Sequence, residues 1–209
     1  MIKKVIILLG LIVLISCTAK INESIVIEAN SKLSKDLNTV NGNIVIGENC
    51  TIDGDLRSIN GRIEIGENSE VEKVQTINGQ VVLAEGAKVN ESIQVIIGSI
   101  KIKSRAVVQQ NVSVVNGAIR IFNATVAGDL KTTNGDIFLE DTARVLGNIL
   151  VEGKSGDGDK RRVEIFIRNG SRVKGNIDNQ GKNAQVLVYL DKNSRVEGDV
   201  IKAELIYEK

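Results

Sequence analysis

The chain has no histidine, no proline and no tryptophan, and its aromatics are three Phe and two Tyr among 209 residues. Without His it lacks the side chain that titrates nearest neutral pH and most often serves as a general base. No catalytic residue, cofactor or metal site is expected, and no small-molecule substrate. One-signed charge is missing too: 27 Lys and Arg face 26 Asp and Glu, for a net charge of +1. Such a balance supplies no strong field for DNA, RNA or an anionic surface, so a nucleic-acid partner is not expected. Only two cysteines occur, Cys17 and Cys50. If Cys17 is modified, no disulfide can form within the chain.

A long apolar run, Val5 to Ile15, broken only by Gly10, follows Lys3 and Lys4 and is too short to span a bilayer comfortably. This is the layout of a signal peptide, residues 1–16. It ends Leu14-Ile15-Ser16-Cys17, which resembles the bacterial lipobox. That resemblance implies that Cys17 becomes the lipidated N-terminus, with residues 17–24 as a short tether and a membrane as the first partner. Stable attachment takes more than one acyl chain, which such a cysteine carries. The expected location is therefore exported and lipid-anchored at the cell envelope. Thr18 rather than Asp in the next position favours the outer membrane if the cell is Gram-negative.

What the sequence has in plenty is Ile, Val, Asn and 20 Gly in a repeating order. β-branched residues with regular Gly and Asn punctuation predict many short strands joined by tight turns. Asn-Gly recurs at Asn41, Asn60, Asn78, Asn116 and Asn134, with Ile97-Gly98 in the gap, at spacings of 18 or 19 residues. Each is followed by an aliphatic-x-aliphatic triplet, such as Ile44 and Ile46 or Ile119 and Ile121, whose alternation points two side chains inward. A turn, a small residue (Ser31, Cys50, Ser69, Ala87) and another inward aliphatic (Ile52, Val71, Val89) come next, then a third strand. Cys50 is thus expected to be a packing residue in a slot for small side chains.

Three strands and three corners per unit predict an all-β, single-stranded parallel β-helix over residues 25–209, with about nine triangular rungs from Ile25 to Leu190. At ~4.8 Å per strand the stack is roughly 43 Å long. A single rung cannot repay the entropy of ordering its own residues, so stability has to grow with stacking. The rhythm stretches after Val151, which predicts loops at 152–162 and 179–183. The recurrent Asn suits either a ladder of side-chain amides or left-handed backbone at a corner, and the corner is favoured. Asp55, Asp129 and Asp199, regular in one turn, are expected as solvated turn residues.

The runs Thr39-Val40-Asn41-Gly42-Asn43-Ile44, Ile65-Gly66-Glu67-Asn68-Ser69-Glu70-Val71 and Ser194-Arg195-Val196-Glu197-Gly198-Asp199 resemble bactofilin-type polymer-forming proteins and the related putative-adhesin repeats. The resemblance covers most of the chain after the lipobox. It implies a right-handed helix, the hand favoured here, and the capacity to polymerise end to end. The lipobox departs from it, since bactofilins are cytoplasmic. Ile65-Gly66-Glu67-Asn68-Ser69-Glu70 also resembles the left-handed hexapeptide acyltransferases, but those commonly rely on a His that this chain lacks. The residues alone leave the hand open.

Other motifs read as surface. Gly153-Lys154-Ser155 lacks the glycine spacing of a phosphate loop. Asp157 and Asp159 lie beside Lys160, Arg161 and Arg162, a poor setting for Ca²⁺. More informative is the outward middle residue of each triplet: Val26, Val45, Glu64, Val82, Lys101, Arg120, Phe138, Phe166, Tyr189. Three aromatics on successive rungs predict a protein-contact patch at Phe138, Phe166 and Tyr189. The expected function is a non-enzymatic, membrane-anchored scaffold or adhesin-like module, with an envelope protein or a second copy as partner. A self-polymerising structural protein is the alternative.

Overall fold

Each triplet lies directly on the triplet of the preceding unit. In the computed structural model, which describes residues 20–153 and 161–209, Ile25–Ile27 pairs in parallel with Ile44–Ile46, and that strand with Ile63–Ile65. The same register continues through Ile119, Ile137, Ile165 and Val188. The predicted leader, Cys17 and the 154–160 part of the first insertion lie outside the described residues.

Three faces make up the stack. The triplets form one. Two-residue strands such as Thr51–Ile52 and Lys88–Val89 form a second, nine-stranded sheet. Five-residue strands such as Leu37–Asn41 and Leu56–Asn60 form the third. The second and third faces each repeat nine times, so the described residues form an all-β parallel solenoid of about nine turns. Glu204–Tyr207 adds one more strand to the triplet face, pairing Val188 with Leu205 and Tyr189 with Ile206. All these ladders are parallel.

The core is the inward set that alternation predicts. Ile44, Leu56, Ile63, Val71, Val89 and Ile100 are buried completely or nearly so, and such side chains line the stack from Ile25 to Leu190. Full burial of each stabilises by about 1.5 to 3 kcal/mol. Cys50 sits in the small slot at 1 % exposure, between Ser31 and Ser69 in the repeat. Its thiol donates to the Glu28 carbonyl of the preceding rung at 3.1 Å, much as the Ser69 hydroxyl donates to the Gly47 carbonyl at 2.7 Å.

The Asn of Asn-Gly does not adopt left-handed backbone, contrary to expectation. Its amide instead forms the ladder: Asn41 Nδ2 donates to Asn22 Oδ1 at 2.7 Å, and Asn60 to Asn41 and Asn78 to Asn60 at 2.8 Å. Left-handed φ falls on the turn after the triplet, at Asn30, Asn49, Asn68 and Asn123, where Asn tolerates it best. The following glycine is required by close approach. A Cβ on Gly61 would stand 1.8 Å from the Gly42 carbonyl oxygen. Corners of successive rungs therefore touch backbone to backbone.

The Asp residues expected to be solvated also bind along the stack. Asn111 Oδ1 accepts the Asp129 N–H, Asp129 Oδ1 the Asn148 N–H and Asn176 Oδ1 the Asp199 N–H, each at 2.8 Å. Similarly, Asp36 Oδ1 accepts the Asp55 N–H at 2.9 Å. These turns need acceptors because their backbone donors point at the neighbouring rung rather than at water.

Neither insertion interrupts stacking. Val145 still pairs with Val173, and Val173 with Val196. In the first insertion Arg161 and Arg162 belong already to the strand Arg161–Ile167, paired with Ala184 and Gln185, rather than to a loop. In the second, Asn179 closes the strand Ile177–Asn179 and donates to the Ala184 and Lys202 carbonyls at 2.8 and 3.0 Å.

Candidate functional site

The aromatic column stands on the rungs farthest from the N-terminus. Because Phe138, Phe166 and Tyr189 are the middle residues of paired triplets, parallel register sets their rings one above another. Phe138 and Phe166 stack with centroids 5.0 Å apart and planes inclined by 10°, and Phe166 and Tyr189 at 4.8 Å and 9°. All three are half-buried.

Cations flank the stack. The Arg120 guanidinium lies over the Phe138 ring at 4.7 Å, and that of Arg168 over Phe166 at 4.5 Å, the geometry of cation–π attraction. Arg162 donates to the Tyr189 hydroxyl at 3.1 Å, which itself donates to Glu164 at 3.2 Å. Hydrogen bonds to Glu164 and to Tyr189 hold the Arg162 guanidinium above its ordinary pKa. Arg168 also pairs through Nε with Glu208 Oε2 at 2.7 Å, tying the last residues to the column. That bond holds the Glu208 carboxyl below the usual carboxylate range and raises Arg168.

This geometry narrows the chemistry. Phe138 lies between Arg120 and Phe166, and Phe166 between Phe138 and Tyr189, so these two rings offer mainly their edges, together with the Arg side chains. Flat stacking of a sugar or base on Phe138 or Phe166 has little open face to use. Edges, methylenes and paired charges suit a protein surface. The partners Arg120, Arg162, Arg168 and Glu208 were not singled out by the sequence, although Arg120 occupies the same outward column one rung earlier. Val82, another member of that column, is only 7 % exposed rather than outward and open. Its register neighbours are Glu64 and Lys101, and long charged side chains commonly cover apolar surface with their stems.

Two further features lie elsewhere. A shallow depression of about 300 Å³ is lined by Glu67, Glu85, Lys101, Lys103, Ser104 and Phe122. Lys101 sits over the Phe122 ring at 5.5 Å, and Glu85 pairs with Arg105 at 2.9 Å. The other feature, which the repeat pattern did not bring out, is a line of exposed aliphatics in the position before Asn-Gly: Ile59, Ile77, Ile96 and Val115. Their repeat position is visible in the sequence, but alternation marks the inward residues, and these point outward. Among the described residues, no three His, Cys, Asp or Glu side chains group closely enough to hold a metal ion.

Compared with known protein families, with curated proteins and with solved structures, the chain matches none.

Proposed function

We propose that this chain is a non-enzymatic, rigid scaffold of the cell envelope, anchored by lipid on Cys17 and presenting the aromatic column to a protein partner. The observation that carries the proposal is the position of the column. Phe138, Phe166 and Tyr189 occupy the seventh to ninth rungs of an unbroken stack, so the most distinctive surface lies ~30 Å or more from the tethered end at ~4.8 Å per rung. An unbroken parallel ladder is stiff and fixes that separation. The six regular rungs before the column serve as a spacer for such a surface.

The test combines two measurements on the full chain in its own cells. Metabolic labelling with a tritiated fatty acid should mark the wild type and leave Cys17→Ser unmarked and released from membranes. Cross-linking with a short amine-reactive reagent should then capture an envelope protein that is lost in the double variant Phe138→Ser, Phe166→Ser. An unlabelled wild-type chain refutes the anchor; unchanged capture by the double variant refutes the contact surface.

A second reading, end-to-end self-assembly, has its own support. Among the described residues the core is partly open at both ends: Ile27 and Leu33 are half-buried at one, and Val196, Val200 and Leu205 at the other. Strand edges there can accept another chain. Sedimentation of the detergent-solubilised full chain decides: a monomer at every concentration rules out the filament.

A further inference from the structure

The exposed aliphatic line extends beyond Ile59, Ile77, Ile96 and Val115 towards the N-terminus. Lys20 bridges to Thr39 in parallel, so Ile21, 67 % exposed, stands in register with Val40. Pairing of Thr39 with Ser58 and Asn41 with Asn60 aligns Val40 with Ile59, and the same register carries the line through Ile77, Ile96 and Val115. Six successive levels of one corner thus present an aliphatic side chain outward, over about 24 Å at ~4.8 Å per step. Alternation would place polar residues here if the edge simply faced water.

We infer that this strip lies against the lipid bilayer, so that the solenoid rests along the membrane instead of standing upright on it. The inference rests on the anchoring proposed above and extends it. Three observations choose lipid as the occupant. First, the strip begins where the chain leaves its proposed anchor: Ile21 follows Cys17 by four residues, a reach of no more than about 14 Å. Second, the strip's flanks carry no charge over its distal half. Gln75 and Gln94 border Ile77 and Ile96 on one side, and Ser99 and Ala118 lie beyond the corner glycine on the other. Arg57, farther down, is held by Asp36 and Asp55.

Third, the neighbouring Asn corner is already satisfied by its own ladder, each amide bonded to the next from Asn22 to Asn78. Amides paired with one another cost less to withdraw from water than free ones. Where the ladder is interrupted the residue is Ile97, 52 % exposed, beside Ile96 at 45 %, which widens the apolar surface at the middle of the strip. A side-by-side second copy would use the same apolar area, but it gives no reason for the strip to start at the tether.

The aromatic column of the triplet face then stays above the membrane plane, reachable by a protein partner. The same chain can be fixed to lipid along one corner and engaged along another face.

Bimane reporters on the full chain, in a Cys50→Ala background, read the orientation. Labels are placed at Ile21→Cys, Ile96→Cys and Val115→Cys along the strip, and at Val107→Cys on the two-residue-strand face as a control. The chain is reconstituted in phosphatidylcholine vesicles carrying a nitroxide near the headgroup. The expected result is similar quenching at the three strip positions, at least about threefold above the control. Quenching at position 21 alone means an upright rod and overturns the inference while leaving the anchor intact. Shielding of positions 96 and 115 from aqueous iodide in detergent, rising with protein concentration and without nitroxide quenching in vesicles, means that a second copy covers the strip, which also overturns it. Flotation of wild type and Cys17→Ser in parallel separates the two proposals: a variant that still floats with the strip quenched removes the lipid on Cys17 but supports the strip, and a wild type that does not float removes both.

Discussion

Phe138 and Phe166 stack at 5.0 Å although the 152–162 insertion lies between them in the chain. Pairing continues across it: Ile137 and Leu139 still pair with Ile165 and Ile167, and the two Phe side chains meet because their strands are in register. A column of rings is therefore a product of the ladder beneath it.

Phe166 is the middle ring and touches both others as well as Arg168. Phe166→Ala is expected to cost more than Phe138→Ala or Tyr189→Ala in urea unfolding, by roughly 2 to 4 kcal/mol in all from two ring contacts and lost half-buried area. A double-mutant cycle with Phe138 should show coupling of about 0.5 to 1.5 kcal/mol.

Gly61→Ala tests the close approach at the Asn-Gly corner. In a tolerant turn this change stabilises slightly by restricting the unfolded chain. Here the new Cβ would meet the Gly42 carbonyl oxygen, and the neighbouring rungs must separate. A loss of about 2 kcal/mol or more in unfolding free energy is expected, with the Asn41–Asn60 amide bond broken alongside.

The amide ladder runs from Asn22 to Asn78 and resumes from Asn116 to Asn134, with Ile97 in register between Asn78 and Asn116. Ile97→Asn should join the two segments with two further amide bonds. A gain of about 1 kcal/mol is expected, raising Tm by roughly 2 to 4 °C for a chain of this size. Calorimetry showing no gain would mean that exposed ladder bonds are fully exchanged for water.

Cys50 fills a slot that takes Ser or Ala on other rungs. Cys50→Ser should be nearly neutral, since a hydroxyl in the matching position of Ser69 reaches a carbonyl of the preceding rung. Cys50→Leu should overpack the slot and cost about 1 to 3 kcal/mol or more, read from the shift in urea midpoint.

Glu208 is bonded by Arg168, and Glu70 by Lys88 and Asn90, and both carboxyls are held below their ordinary range. A depressed folded pKa adds stability that is complete above the unfolded value and is lost as pH falls through the folded one. The last strand, Glu204–Tyr207, should therefore loosen as pH falls below about 4, near the unperturbed Glu value. Hydrogen exchange at Leu205 and Ile206 should rise in that window, and Glu208→Gln should show the faster exchange already at pH 7.

The repeat length, the inward residues, the small slot and the count of rungs are legible in the order of residues, because the 18- or 19-residue period and the alternation of triplets are local properties. Register carries the aromatic column with them: with Ile137 and Ile165 at equivalent positions of the repeat, Phe138 and Phe166 have to lie on neighbouring strands. What period and alternation do not encode is the environment between rungs. Whether Asn41 turns the backbone or bonds Asn22 depends on which atoms the next strand brings within 3 Å, and there the amide ladder prevails. Asp129 likewise becomes an acceptor for a backbone N–H on the following rung.

Sequence by itself thus determined the solenoid, since a repeat too small to bury its own apolar side can be stable only by stacking on its copies. Tertiary structure decided which partners the outward residues meet. Outward residues are free of the packing constraint that makes inward ones periodic, so the arginines that flank the aromatic column and the line from Ile21 to Val115 emerge only when the strands are placed side by side.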